Sequence, residues 1–171
     1  LLQNRSEIRP DTLHADTQGQ SEPVFGLAYL LAIQLMPRIR NWKHLTLYVP
    51  NEQFAVEQIA HIRELFSGSI DWTLIKTHLP DMLRVAISIS QGRIRSSTIL
   101  RKLGTYSRKN KLYWAFCELG HVVRTVFLLN FISDPELRRP INATTNISEN
   151  WNEFVQWAAL GGEGVIRHNN R

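Results

Sequence analysis

The chain has 171 residues, 43% of them hydrophobic and 20% charged, with a formal net charge of +5. That is enough for one domain with a buried core, and the balance is ordinary for a globular protein. A single cysteine, Cys117, excludes an internal disulfide and a multi-cysteine zinc site and fits a reducing cytoplasm.

The charge is unevenly placed. Between Met82 and Cys117 there is no acidic residue, whereas Arg84, Arg93, Arg95, Arg101, Lys102, Arg108, Lys109 and Lys111 all fall there. A local basic field suits a polyanion, and it equally suits a solvated face. No membrane span is expected, because Glu118, His121, Arg124 and Asn130 interrupt the long apolar run after Lys111. The start at Leu1 and the end at Arg167–Arg171, without a natural stop signal, read as a piece of a longer protein.

Residues 1–11 read as a leader. Thr12–Asp16 reads as a short strand, followed by the turn Thr17-Gln18-Gly19-Gln20. A helix starting at Gln20 or Ser21, with Pro23 in its first turn, then carries Val24, Phe25, Leu27, Ala28, Leu30, Leu31 and Leu35 until Pro37 ends it. So apolar a helix is buried, against a sheet. The alternating stretch Leu45–Val49 is rich in β-formers and gives the second strand of a βαβ-like unit.

Helical segments are predicted at Gln53–Phe66, Ser69–Thr77, His78–Gln91, Ser96–Leu103 and Lys109–Phe131, with Gly104–Ser107 as a loop. Ser133-Asp134-Pro135-Glu136 caps a further short helix. Asn142–Asn146 reads as a polar loop, and a last helix runs from Ser148 to Leu160, stopped by Gly161-Gly162-Glu163-Gly164. The layout is an α/β core at 12–50, a mainly helical basic block at 51–140 and a closing helix at 141–171.

Asp16 ends a strand, where α/β folds place ligand-binding groups. A carboxylate there suits Mg²⁺, which takes oxygen ligands and keeps waters for a phosphate substrate. The competing role is local, since Asp-x-x-Gly is a turn sequence. Glu149 is a second candidate, and it too has a local role: Asn146-Ile147-Ser148-Glu149 has the spacing of a capping box. Glu153, one turn further along that face, is the fallback ligand.

The segment from Arg101 to Trp114 mixes five cations with three aromatics around a glycine loop, a combination that can neutralise phosphates and stack on bases. The alternative places Tyr113 and Trp114 in a core. The histidines lack ligand spacing, and G-x-S-x-G, P-loop and dinucleotide motifs are absent.

Two stretches, His14-Ala15-Asp16-Thr17-Gln18-Gly19-Gln20-Ser21-Glu22-Pro23-Val24-Phe25-Gly26 and Met36-Pro37-Arg38-Ile39-Arg40-Asn41-Trp42, resemble the catalytic core of the Tn-three family of replicative bacterial transposases. Leu103–Tyr113, Asn146–Glu149, Phe154–Trp157 and Gly161–Ile166 resemble the same family in the same order. The resemblance implies an RNase H-like fold, represented by its second half and carrying a large helical insertion, with an Asp, Asp, Glu metal site. Asp16 matches the second aspartate and Glu149 the glutamate. The first aspartate has no counterpart, because Asp11 lies too close to Asp16. Asn150 and Trp151 depart from the small or apolar residues expected beside the glutamate.

The implied chemistry is phosphoryl transfer on two Mg²⁺ ions, nicking transposon ends and joining them to target DNA. Arg38, Arg40, Arg101, Lys102, Arg108, Lys109 and Lys111 are the expected DNA contacts. The resemblance further implies a bacterial, nucleoid-associated protein, a homo-oligomer when whole, with no membrane partner. With the first aspartate missing, the alternative is a DNA-binding remnant that cuts nothing. A third reading is a helical interaction protein whose basic stretch is only solvated.

Overall fold

A computed structural model describes residues 11–41, 43, 45–51, 62–95, 98, 99 and 110–158. Among the described residues, two small parallel sheets lie beside four helices longer than two turns. Strand β1 (Thr12–Ala15) pairs with β2 (Gln34–Pro37) in parallel, with Leu13 opposite Leu35 and Ala15 opposite Pro37. A 3-10 turn (Thr17–Gln20) and helix α1 (Glu22–Leu30) connect them. Strand β3 (Leu47–Val49) pairs with β4 (Phe66–Ser69), also in parallel, with a bulge between Leu47 and Tyr48. Helix α2 (Trp72–Ser90), helix α3 (Lys111–Ser133) and helix α4 (Pro135–Ala158) complete the described chain.

The βαβ unit is therefore real, but its second strand is β2, not Leu45–Val49. The expected helix through Leu35 stops at Leu30 because Ala32 turns it, at φ 55°. The N–H of Ile33 donates to the carbonyl of Ala28 at 2.9 Å and that of Ala32 to Tyr29 at 3.0 Å, the paired bonds of a Schellman cap. Leu35 and Pro37 are thereby free to be buried strand residues. The expected Gln53–Phe66 helix gives way at Phe66 to β4, and its residues 53–61 lie outside those described. So does most of Ser96–Leu103, and all of the Gly104–Ser107 loop.

The two helices expected on either side of residue 77 are one, α2. Asp71 caps it, its carboxylate accepting from the N–H of Leu74 at 2.9 Å. Pro80 lies inside and removes one backbone bond. The buried stripe Ile75, Met82, Ala86 and Ile89 passes Pro80 without a break, and that burial holds the helix together. Asn110 caps α3 by accepting from the N–H groups of Leu112 and Tyr113 at 3.1 and 3.3 Å.

Helix α3 is the spine. Phe116, Ala115 and Leu119 pack with Leu27 of α1 and with Met82 and Ile89 of α2. On its other turns Leu128 packs with Ile39 and Leu47. By length and composition alone α3 is apolar enough to cross a membrane, which corrects the expectation that its polar residues disqualify it. Here those residues are used inside the fold. Arg124 is 9% exposed and donates to the carboxylate of Glu22 at 2.7 Å and to the carbonyl of Gln20 at 3.3 Å. Glu118 accepts from the N–H of Asp71 at 3.0 Å. Cys117 is buried among them, and burial pushes its thiol up to about 11, so it is inert as a nucleophile.

His121 stacks on Tyr48 with ring centroids 3.8 Å apart. Its Nδ1 lies 3.5 Å from the carboxylate of Glu118, an ion pair only when the imidazole is protonated. Desolvation lowers its pKa, and so does Arg124; the opposing pull of Glu118 and Glu22 is smaller. A histidine whose folded pKa lies below its unfolded value of about 6.5 takes up its proton more readily in the unfolded chain. Stability therefore falls as pH drops below about 6.5 and levels off once the folded-state pKa is passed. The melting temperature measured across that range should decline, and His121→Phe should flatten the decline.

Helix α4 corrects the sequence reading most. Its start is as expected, with the Asp134 carboxylate accepting from the N–H of Glu136 at 2.8 Å. It is not short, however, and it continues unbroken through Asn142–Asn146 to Ala158. Asn142 and Asn146 are exposed helical residues, and Ile141 beside them is fully buried. Asn146 therefore caps nothing, and Glu149 stands in mid-helix, not in a first turn. Asn150 and Trp151 face solvent, Trp151 at 63% exposure, so they do not crowd the packing around the glutamate.

Candidate functional site

The segment after β1 is built around backbone geometry. The N–H of Gly19 donates to the carbonyl of Asp16 at 3.1 Å, closing the Asp-x-x-Gly turn through the main chain. A Cβ at Gly19 would crowd Ala15, so the turn needs a glycine. Arg124 ties the far end of the turn to α3 through Gln20 and Glu22. Asp16 is thus held at the carboxyl end of a parallel strand, exposed.

Beside it opens a cavity of about 250 Å³ lined by His14, Ala15, Asp16, Thr17, Arg40, Thr144, Glu149 and Asn152. Asp16 and Glu149, far apart in the chain, line one cavity. The residues come from β1 and the turn after it, the segment after β2, and α4, and α4 reaches the site because it packs on both α3 and β1. Glu149 is engaged on both oxygens: Arg38 donates to Oε2 at 2.7 Å and Arg40 to Oε1 at 3.2 Å.

Glu153, the fallback ligand, is exposed and is not among the described residues lining the cavity. Its place is taken by Asn152, three positions after Glu149 and on the same helical face. The sequence reading missed Asn152 and Thr144. Helical spacing from Glu149 finds Asn152 once the helix is known to be continuous.

Of the expected DNA contacts, Arg40 lines this cavity and Arg38 pairs with its Glu149. Lys111 opens α3 and lines a separate cavity with His78, Thr77 and Trp114, the last 45% exposed. The alternative that placed both aromatics in a core therefore holds for Tyr113, which packs against the α1–α3 core, and not for Trp114. Arg101, Lys102, Arg108 and Lys109 lie outside the described residues.

Beside the His14 imidazole and the Arg40 guanidinium, the cavity is lined by two carboxylates, two hydroxyl side chains and one amide, whose oxygens are its hard donors. That set fits a hard divalent cation, which is commonly held by one or two carboxylates together with a substrate phosphate. Among the described residues no group of three or more Asp, Glu, His or Cys side chains gathers into a complete metal cluster. The guanidinium groups of Arg38 and Arg40 balance the charge of Glu149 in the geometry seen.

Comparison with known proteins points to one family. The sequence is 37% identical to the transposase for transposon Tn501 of Pseudomonas aeruginosa over 98% of the chain. It is 34% identical to that for transposon Tn1546 of Enterococcus faecium and 35% identical to that for Tn21 of Escherichia coli, each over 98% of the chain. The chain spans 17% of the length of each of these curated relatives. No solved structure matches it. A sequence model described as the Tn3 transposase DDE domain matches residues 1–171, and the chain belongs to that family.

Proposed function

We propose that this chain is part of the catalytic domain of a DDE-type transposase, and that Asp16 and Glu149 are two of the three carboxylates holding its divalent metal, Mg²⁺ in the cell. The observation that carries the reading is that both residues line one cavity although the turn and the helix bearing them are far apart in sequence. Two parallel strands joined by a helix, with a carboxylate at the strand end, support an RNase H-like frame. Among the described residues β1 is paired on one side only, which leaves an edge for a strand bearing the third carboxylate.

A divalent cation bound there supplies Lewis-acid charge neutralisation at the scissile phosphate. The chain's own residues do the rest. Asp16 and Glu149 fix the position of the charge, and Arg124 fixes the turn that carries Asp16. Arg38 and Arg40 present guanidinium forks, which suit phosphate oxygens. The reaction is cleavage of DNA at transposon ends and joining of the 3′ ends to target DNA. The whole protein would carry it out in the bacterial cytoplasm, as a homo-oligomer on DNA.

The test is a cleavage assay with the whole protein on supercoiled DNA carrying transposon ends. Nicks at the ends are expected with Mg²⁺ and none with chelator. Specific, salt-dependent DNA binding without nicks would favour the second reading, a DNA-binding remnant. That reading draws on the fact that the described residues bring together two carboxylates and no third.

A further inference from the structure

Glu149 meets two cations where the proposed function requires it to meet a metal. Arg38 and Arg40, which precede it by 111 and 109 residues, take one carboxylate oxygen each, at 2.7 and 3.2 Å. Arg40 lines the cavity with Asp16 and Glu149. The pairing settles two electrostatic problems at once. It neutralises a second carboxylate brought to the cavity of the first, and it ties α4 to the segment after β2. It also sets up a competition, because a divalent cation on Glu149 must draw an oxygen away from a guanidinium and sits beside its like charge. Once drawn away, the two forks remain beside Glu149, that of Arg40 on the cavity wall, without their anion. A phosphate is the anion that guanidinium geometry matches best.

We propose that Arg38 and Arg40 are positioning residues shared between two anions: Glu149 in the protein free of DNA, and a backbone phosphate of the DNA once a divalent cation takes Glu149. Metal and DNA then load cooperatively, each strengthening the other by the same factor. The inference rests on the metal-site reading above, and the test separates the two.

Mn²⁺ binding to the whole protein is measured without DNA by the loss of its free EPR signal. Affinity for a short transposon-end duplex is measured by fluorescence anisotropy, with and without Ca²⁺. The Arg38→Gln/Arg40→Gln protein should bind Mn²⁺ alone at least about fivefold more tightly than the wild type, the low end of ordinary coupling factors. Ca²⁺ should strengthen duplex binding by the wild type and leave that of the double variant nearly unchanged. Equal Mn²⁺ affinity, or equal Ca²⁺ enhancement in both proteins, overturns the shared clamp.

Asp16→Asn and Glu149→Gln serve as the second arm. If neither weakens Mn²⁺ binding, the metal-site reading itself fails. If both weaken it while the arginine variant matches the wild type, only the clamp fails. Should the double glutamine variant lose helix by circular dichroism, Arg38→Lys/Arg40→Lys carries the test. It keeps both charges and loses the forks, so its Mn²⁺ affinity should stay near that of the wild type while the Ca²⁺ enhancement of duplex binding shrinks; an enhancement equal to the wild type's overturns the clamp.

Discussion

Replacing Asp16 by Asn, or Glu149 by Gln, should lower DNA strand cleavage by roughly a thousandfold, since a metal's stabilisation of a phosphoryl transition state is worth several kcal/mol. The same changes should barely affect stability. Asp16 is exposed, and the ion pairs of Glu149 with Arg38 and Arg40 join side chains that are 45%, 28% and 54% exposed. Pairs so open to solvent contribute about 0–1 kcal/mol each. A glutamine amide can still accept from either guanidinium, so the helix stays docked. A large loss of cleavage beside a melting temperature within a few degrees of the wild type is the signature of a site residue. A parallel loss of both would assign Glu149 to structure alone. Asn152→Ala removes only an amide from the same wall, and its effect on cleavage should be smaller than that of either carboxylate.

The second large effect lies away from the cavity. Helices α1 and α3 cross in close contact, at Gly26 and Gly120. A methyl group added at Gly120 would fall on the main-chain carbonyl of Glu22, and one at Gly26 on that of Phe116. These neighbours are backbone and cannot rotate away, so the helices must separate. Overpacking of this kind costs about 1–3 kcal/mol and occasionally more. Gly120→Ala should sit at the upper end, about 3 kcal/mol, because Glu22 also holds the buried Arg124. Denaturant unfolding should show the midpoint fall with an unchanged slope. Cleavage should fall as well, since the turn bearing Asp16 is anchored through the same contacts. A neutral Gly120→Ala would mean that α1 and α3 do not cross as described.

The local signals that were legible in the sequence are those written in a few adjacent residues. Thr12–Ala15 alternates, Ser21 and Pro23 open α1, and Asp134 with Pro135 opens α4. What was not legible depends on contacts between distant parts. Ala32 ends α1 in a left-handed turn usually given to glycine, so no breaker marks the stop. Strand β4, Phe-Ser-Gly-Ser, has little β-propensity of its own and exists by pairing with β3.

The boundary after Thr77 and the run Asn142–Asn146 read as breaks, yet burial of Ile75, Met82 and Ile141 carries both helices through them. The same effect decided the site. Read locally, Glu149 belongs to a capping box; the continuous helix removes that role and puts Glu149 on the wall of a cavity that Asp16 also lines. Its arginine partners lie more than a hundred residues upstream, and nothing in the spacing of charges announces them.

The central claim is that Asp16 and Glu149 hold one divalent cation. Crystals of the whole protein bound to transposon-end DNA and soaked in Mn²⁺ test it through the anomalous signal of the metal. The account predicts a peak in the cavity, within about 2.0–2.2 Å of an oxygen of each carboxylate, with Arg38 and Arg40 turned from Glu149 to a phosphate. A peak elsewhere, or none while both arginines still hold Glu149, would contradict it.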